Sequence, residues 1–153
     1  MKSLHDDIHE IQTLKARYAD AVDGGWTGVT PHDADAVIEL FVPDGAWDSG
    51  AFGGGKGHAG IREYMLTGAA IMPFAFHHIS NPLIEVDGDR ATARWHAMLA
   101  VSVREQAQSQ EQAKLHVGVY DDRMVRTPDG WRFELLRFTL AATTDLPVAW
   151  TRF

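Results

Sequence analysis

Helical periodicity in the first half of the chain and strand periodicity in the second predict an α+β fold. Apolar residues recur every three or four positions from Leu4 to Val22, and the period falls to two after about residue 76. Two turn signals, Asp87-Gly88-Asp89 and Thr127-Pro128-Asp129-Gly130, separate strand-like runs in that half. The 153 residues fit one domain, 1–153. A hydrophobic content of 45%, with five Trp, seven Phe and three Tyr, is enough for an ordinary core.

Leu4, Ile8, Ile11, Leu14, Tyr18 and Val22 form one face of an amphipathic helix over 4–22, which Gly24-Gly25 ends. A second helix is expected over 33–41, with Asp33 near its N-cap and Val37, Leu40 and Phe41 apolar. Pro43-Asp44-Gly45 reads as a turn, 46–52 as a short strand, 53–57 as a loop and 58–68 as a third helix. Four long strands follow over 76–86, 91–103, 115–126 and 131–142, the middle pair joined by a polar, Gln-rich loop over 105–113. Helices wrapped by a curved sheet leave a conical hollow. Trp95, Ala97, Leu99, Val101 and Val103 share one strand face, and Trp131, Phe133, Leu135 and Arg137 share another. Such faces line an apolar pocket or fill a core, and periodicity does not separate the two.

Composition excludes several classes. The chain has no Cys, so disulfides, thiolate nucleophiles and Cys-ligated metals are out. A net charge of −7 gives no cationic footprint for nucleic acid or an anionic membrane. No run approaches the ~18 apolar residues of a membrane span, and Met1 to Asp7 holds no signal-peptide core. The expectation is a cytoplasmic protein acting on a small molecule.

Few side chains suit chemistry. Asp20 points away from the apolar stripe of the first helix, whereas Asp23 sits nearer its edge, beside the negative end of the helix dipole. Read alone, Asp23 is as well explained as a solvated helix-end acid or a cap of the Gly24-Gly25 turn. His77 and His78 are adjacent in a strand, so at most one faces inward. A lone inward His is usually a hydrogen-bonded core residue. Beside a carboxylate it becomes a general base, because the acid accepts the Nδ1 proton and leaves Nε2 free. His5 and His9 are four apart on the first helix, but no third metal ligand stands near them. The 53–57 run with Lys56 lacks the spacing of a phosphate loop. Arg137 would hold either a ligand oxygen or a structural carboxylate.

Several runs then resemble one family. Ile11-Gln12-Thr13-Leu14 followed by Tyr18-Ala19-Asp20-Ala21-Val22-Asp23 resembles the first helix of SnoaL-like proteins of the NTF2-like superfamily. The likeness continues through Phe41-Val42-Pro43-Asp44-Gly45-Ala46-Trp47 and is strongest from His77-His78-Ile79-Ser80-Asn81-Pro82 to Asp87-Gly88-Asp89. Tyr120-Asp121-Asp122-Arg123-Met124-Val125-Arg126 and Asp129-Gly130-Trp131-Arg132-Phe133 complete it. The resemblance implies a cone-shaped α+β barrel, with N-terminal helices packed on a strongly curved, mainly antiparallel sheet.

Within that superfamily the chain is most similar to the scytalone dehydratase, hexachlorocyclohexane dehydrochlorinase and bile-acid 7α-dehydratase group. The resemblance implies a catalytic dyad of Asp23 and His77, a hydroxyl donor at Tyr18 and a pocket Trp at Trp47, with no metal or organic cofactor. Trp95, Leu99, Phe133 and Arg137 complete the expected substrate-binding set. The dehydrochlorinase has Lys where Tyr18 stands, which argues against halide elimination. The bile-acid enzyme has a further Asp near the place of Leu99. The function expected is a lyase, a dehydratase of a cyclic, mostly apolar hydroxy compound. The alternatives are an isomerase or polyketide cyclase using the same dyad, and a non-catalytic ligand-binding or dioxygenase small-subunit-like module. The group forms trimers through its sheet faces, so a homo-oligomer is expected, trimer ahead of dimer. Met98, Ala100 and Ser102, with Leu136, Phe138 and Leu140, are the outward positions that would meet. The alternative cover is the 146–153 segment folding back within one chain.

Overall fold

A computed structural model of the protein describes residues 3–23, 32–104 and 111–150. Helix α1, Leu4–Val22, begins at a capping box in which the Asp6 amide donates to Ser3 Oγ and the Ser3 amide donates to Asp6 Oδ2. Its apolar stripe buries Ile11, Leu14, Tyr18 and Val22. The Gly24-Gly25 stop lies outside the described residues. Helix α2, Ala34–Ile38, is shorter than its sequence suggests, and Asp33 caps it by accepting from the Ala36 amide at 3.0 Å. Phe41 instead opens strand β1, Phe41–Asp48. Pairing with the last strand overrides the local turn signal there: Pro43-Asp44-Gly45 is absorbed into a register shift between Phe41 and Ala46. Gly50–Phe52 is a single 3-10 turn, and part of the expected loop forms strand β2, Gly54–Lys56, before helix α3, Gly57–Ile71.

The second half is a run of long strands: β3 Phe74–Asp87, β4 Arg90–Arg104, β5 Glu111–Thr127 and β6 Gly130–Asp145. Of the expected 105–113 loop, residues 105–110 lie outside the described residues and the remainder belongs to β5. The sheet runs β2-β1-β6-β5-β4-β3, antiparallel except where β1 lies parallel to β6. It is mixed and does not close into a barrel, because β2 and β3 remain its edges. Helix α1 packs chiefly on β3, and α3 on β1 and β2, so the helices occupy one face of the sheet and leave edge strand β3 beside the end of α1.

A one-residue slip in β6 changes which side chains face the helices. Met124 pairs with Phe133 but Arg123 pairs with Leu135, so Glu134 is the extra residue. Trp131 and Phe133 face inward before the slip, and Leu136 and Phe138 do so after it. The faces expected from strict alternation are therefore reversed from Leu135 to Leu140, which pairs with the inward Gly118 and packs against the core. Leu135 and Arg137 turn to the outer face, while Phe138 packs inside against Tyr120 with ring centroids 5.0 Å apart. Arg137 is exposed there and donates from Nε to Asp48 Oδ2 at 2.9 Å, so it holds a structural carboxylate and not a ligand in the hollow. The outward Ser102 is buried as well. It pairs with Phe74, on which the Trp150 ring packs, and Trp150 Nε1 donates to the Val101 carbonyl at 2.9 Å. The described part of the C-terminal segment thus covers that end of the outer face.

Two buried charges set the depth of the hollow. Lys15 and Asp122 meet at 2.8 Å with side chains 2% and 0% exposed, and Lys15 Nζ lies 3.5 Å from the Tyr120 ring centroid. Burial pulls the lysine down to about 8 despite its partner, and pushes the Asp122 carboxyl up. Both shifts disfavour charge, so the pair is a desolvation cost held in place by its geometry. Lower down, Asp7 accepts from both guanidinium nitrogens of Arg126 and from Trp131 Nε1, fastening the first turn of α1 to the β5–β6 hairpin.

Breaking the Lys15–Asp122 pair by Lys15→Met alone should cost about 3–5 kcal/mol in denaturant unfolding. The double variant Lys15→Met/Asp122→Leu should recover most of it. The folded value of Lys15 lies below its ordinary 10.5. The unfolded chain therefore binds more protons between about pH 8 and 10.5, and the contribution of this lysine to stability rises with pH across that window. The double variant should lose that slope.

Candidate active site

The C-terminal end of α1 and the edge of β3 meet at one carboxylate. Asp23 is the C-cap residue of α1, and its own amide bonds back to the Ala19 carbonyl at 3.0 Å. Its side chain takes the His77 backbone amide on both oxygens, at 3.1 and 3.0 Å, and His77 Nδ1 at 2.6 Å on Oδ1. An edge strand carries amides with no sheet partner, and this one is satisfied by the acid instead. The two side chains are only 5% and 7% exposed, so the contact is shielded from water. A carboxylate only accepts, so the shared proton resides on Nδ1 and Nε2 carries the free lone pair. His78 projects to the other face and is exposed.

Tyr18 stands one turn before Asp23. Its ring meets the His77 ring edge-on with centroids 6.4 Å apart, and its hydroxyl accepts from Trp47 Nε1 at 2.8 Å. Trp47 in turn stacks on Tyr64 at 4.8 Å. Burial pushes the Tyr18 hydroxyl well above the ordinary phenol range, so it stays protonated while it accepts from Trp47. A cleft of about 500 Å³ opens between α1 and β3, lined by the dyad together with Lys15, Trp95, Ile79 and Ala16.

The structure thus brings Asp23, His77, Tyr18 and Trp47 together. Trp95 lines the cleft, Leu99 pairs with His77 from the neighbouring strand, and Phe133 is fully buried in the aromatic packing below, 6.2 Å from the Tyr18 ring. Arg137 is not part of the group. His5 and His9 are exposed, and among the described residues no three His, Asp or Glu side chains are grouped to hold a metal ion.

Three residues near the site escaped the sequence reading. His32 is buried with a positive φ of 59°, and its Nδ1 meets the Val22 carbonyl at 2.6 Å, tying the chain beyond 24–31 back to the end of α1. Lys15 sits on the flank of the apolar stripe, where a long stem and a distant Asp122 let a charge enter the core. His116 shares the inward parity of Tyr120 and Asp122 on β5, and that alternation was the signal available for it.

The family described as "SnoaL-like domain" matches residues 4–137. An uncharacterized protein of Mycobacterium tuberculosis is 33% identical over 131 residues, covering 82% of this chain and 80% of its own. A Novosphingobium aromaticivorans structure named as a candidate aromatic ring hydroxylase is 27% identical, with a TM-score of 0.79 over 95% of this chain and 96% of that one. The hexachlorocyclohexane dehydrochlorinase LinA-type3 of Novosphingobium barchaimii has a TM-score of 0.82 over 97% and 96% of the two chains. At 18% identity that likeness is one of fold.

In the neutral His77 ring, nitrogen-15 NMR should find the proton on Nδ1. In Asp23→Asn the ring should lose that single tautomer, because the amide can donate as well as accept. A wild-type ring protonated on Nε2 would contradict the geometry described above.

Proposed function

The chain belongs to the SnoaL-like domain family, and from that premise we propose that it is a cofactor-independent lyase that removes water from a cyclic, mostly apolar hydroxy compound. The single observation that carries this reading is the shielded 2.6 Å contact between His77 Nδ1 and Asp23 Oδ1, which leaves Nε2 as a base. In the reaction, Nε2 takes a proton from carbon and Asp23 stabilises the imidazolium that forms. The carbon–oxygen bond at the neighbouring carbon breaks, and the imidazolium returns the proton to the departing hydroxyl as water. The dyad ends in its starting state, so no co-reactant is consumed. Tyr18, held by Trp47, supports the departing oxygen as a neutral donor, and Trp95 on the wall of the cleft offers apolar surface to the hydrocarbon body.

The group's enzymes, and a structural neighbour named as a dehydrochlorinase, supply precedent for elimination on this fold. An isomerase would share the first proton transfer and return the proton to a different carbon. Product analysis separates the two: a loss of 18 mass units marks dehydration, and an unchanged mass marks isomerisation.

A positioned general base contributes ~10²–10⁴-fold. His77→Gln should therefore lower kcat/KM by about that factor with the fold intact, measured on whichever cyclic hydroxy-ketone turns over in a mass-loss screen. Full activity in that variant would remove the mechanism.

We further propose self-association through the outer sheet face, trimer ahead of dimer. Met98 and Val117, 44% and 37% exposed and paired across β4 and β5, form an apolar patch beyond the reach of Trp150. Light scattering at micromolar concentration should give about three times the 16.9 kDa chain mass, and Val117→Glu should reduce it to one.

A further inference from the structure

The β3 wall of the cleft is a short stretch of open sheet edge. His77, His78 and Ile79 stand opposite Leu99, Met98 and Ala97 of β4 without a break in register. The His77 amide turns away from β4 to meet Asp23, so strand alternation turns the amide and carbonyl of Ile79 the same way. Ile79 lines the cleft, and neither of its backbone groups has a hydrogen bond to any other described residue on that side. The edge ends on both sides of it. Asp23 covers the His77 amide on one side. On the other the register slips between Ser80 and Leu83, where Asn81 has a φ of 53° and Pro82 has no N–H. A strand from another protein would need several open residues in a row. One open residue fits a small molecule.

The cleft is also longer than the reacting ring requires. Its helix wall runs from Gln12 to Asp23, roughly 16 Å of axis at the usual rise per residue. Ala16 and Ala19 keep that wall low. The dyad stands at one end of the cleft, so a ring at His77 leaves the remainder for a substituent. Charge narrows the kind of substituent. Asp20 lies on the same helix wall, and the last turn of α1 holds no basic residue to offset its dipole. The Lys15 ammonium is taken by Asp122. An anionic group is therefore disfavoured, and a neutral group with one donor and one acceptor is matched.

We propose that the cleft takes substrates whose ring is joined to a neutral aminoacyl unit, –NH–CHR–CO–, which pairs with the backbone of Ile79. The N–H of the unit donates to the Ile79 carbonyl, and its carbonyl accepts from the Ile79 amide. Residues facing each other in a hydrogen-bonded pair of antiparallel strands exchange bonds in the same way. Ile79 lies two residues beyond His77, about 6–7 Å along the strand. A ring carried on the unit as its R group spans that distance and reaches the dyad. This rests on the His77 base reading for what happens to the ring, and adds what holds the ring there. Specificity for the unit comes from main-chain atoms, and its neutrality from Asp20 and the helix end.

N-acetyl-L-phenylalanine N-methylamide supplies the unit and a ring without knowledge of the substrate. It is titrated onto the full chain by calorimetry beside two isomers that each carry one further methyl group. One isomer is methylated on the acetamido nitrogen and loses the N–H that meets Ile79. The other is methylated on the terminal nitrogen, whose N–H points away. The first should bind about tenfold more weakly than the parent and the second within about twofold of it. The free acid, N-acetyl-L-phenylalanine, should also bind more weakly than the parent. Ile79→Pro removes the protein's donor where an outward N–H makes proline tolerable, and should weaken the parent by about tenfold. If that variant does not fold, Ala16→Leu, at an exposed helix position, fills the cleft and should abolish binding. Equal binding of the two isomers overturns the proposal, as does a parent that does not bind wild type or binds both variants unchanged. His77→Gln separates the two readings. It should keep binding of the parent and lose turnover in the mass-loss screen. A wild type that turns over a ring compound but does not tell the isomers apart overturns this proposal and leaves the base reading standing.

Discussion

The Asp23 carboxylate joins the last turn of α1 to the open edge of β3, and the site is built around that junction. It accepts the backbone amide and the ring nitrogen of the same residue, so His77 is fixed in position and in ring orientation at once. An edge amide left without a partner in a shielded place would cost about 1–3 kcal/mol. The acid relieves that cost and in doing so sets the tautomer. Structural and chemical demands on Asp23 are therefore the same demand.

The rest of the fold serves to hold α1 at the right height over the sheet. At its first turn, Asp7 is fastened to Arg126 and Trp131 at the β5–β6 hairpin. At mid-helix, Lys15 reaches Asp122 inside a cage of Tyr18, Tyr120, Phe133 and Trp95 rings. At its end, the Val22 carbonyl is taken by His32. Three anchors along one nineteen-residue helix leave little freedom for the dyad at its terminus. The hollow below is filled by aromatic side chains, so space for a ligand adjoins the dyad and does not run the depth of the cone.

Chemistry on this scaffold comes from the way each polar group is matched. Buried hydroxyls such as Tyr18 remain neutral because ionisation inside apolar packing is disfavoured. The Lys15–Asp122 pair carries a desolvation cost, and the other Asp122 oxygen, Oδ1, and the nearby Trp95 Nε1 are buried without a hydrogen bond of good geometry.

Local pattern alone determined much of this protein. The 3.6-residue stripe marked α1 to the residue, and the Asp/Gly turns marked the two hairpins. The alternation of β4 marked its inward face from Trp95 to Val101, and the adjacency of His77 and His78 forced them onto opposite faces. All of these depend on spacing within one segment. What tertiary structure decided depends on contacts between segments. The parallel pairing of β1 with β6 turned a Pro-Asp-Gly turn signal into a bulged strand. One extra residue at Glu134 moved Arg137 out to Asp48 and Phe138 in to Tyr120, because a strand's parity reverses at a slip that only its partner strand reveals. Lys15 and Asp122 are 107 positions apart, and His77, His116 and Thr143 lie on three different strands. No periodicity connects such residues. Their meeting is fixed by strand order and register, which are properties of the folded sheet.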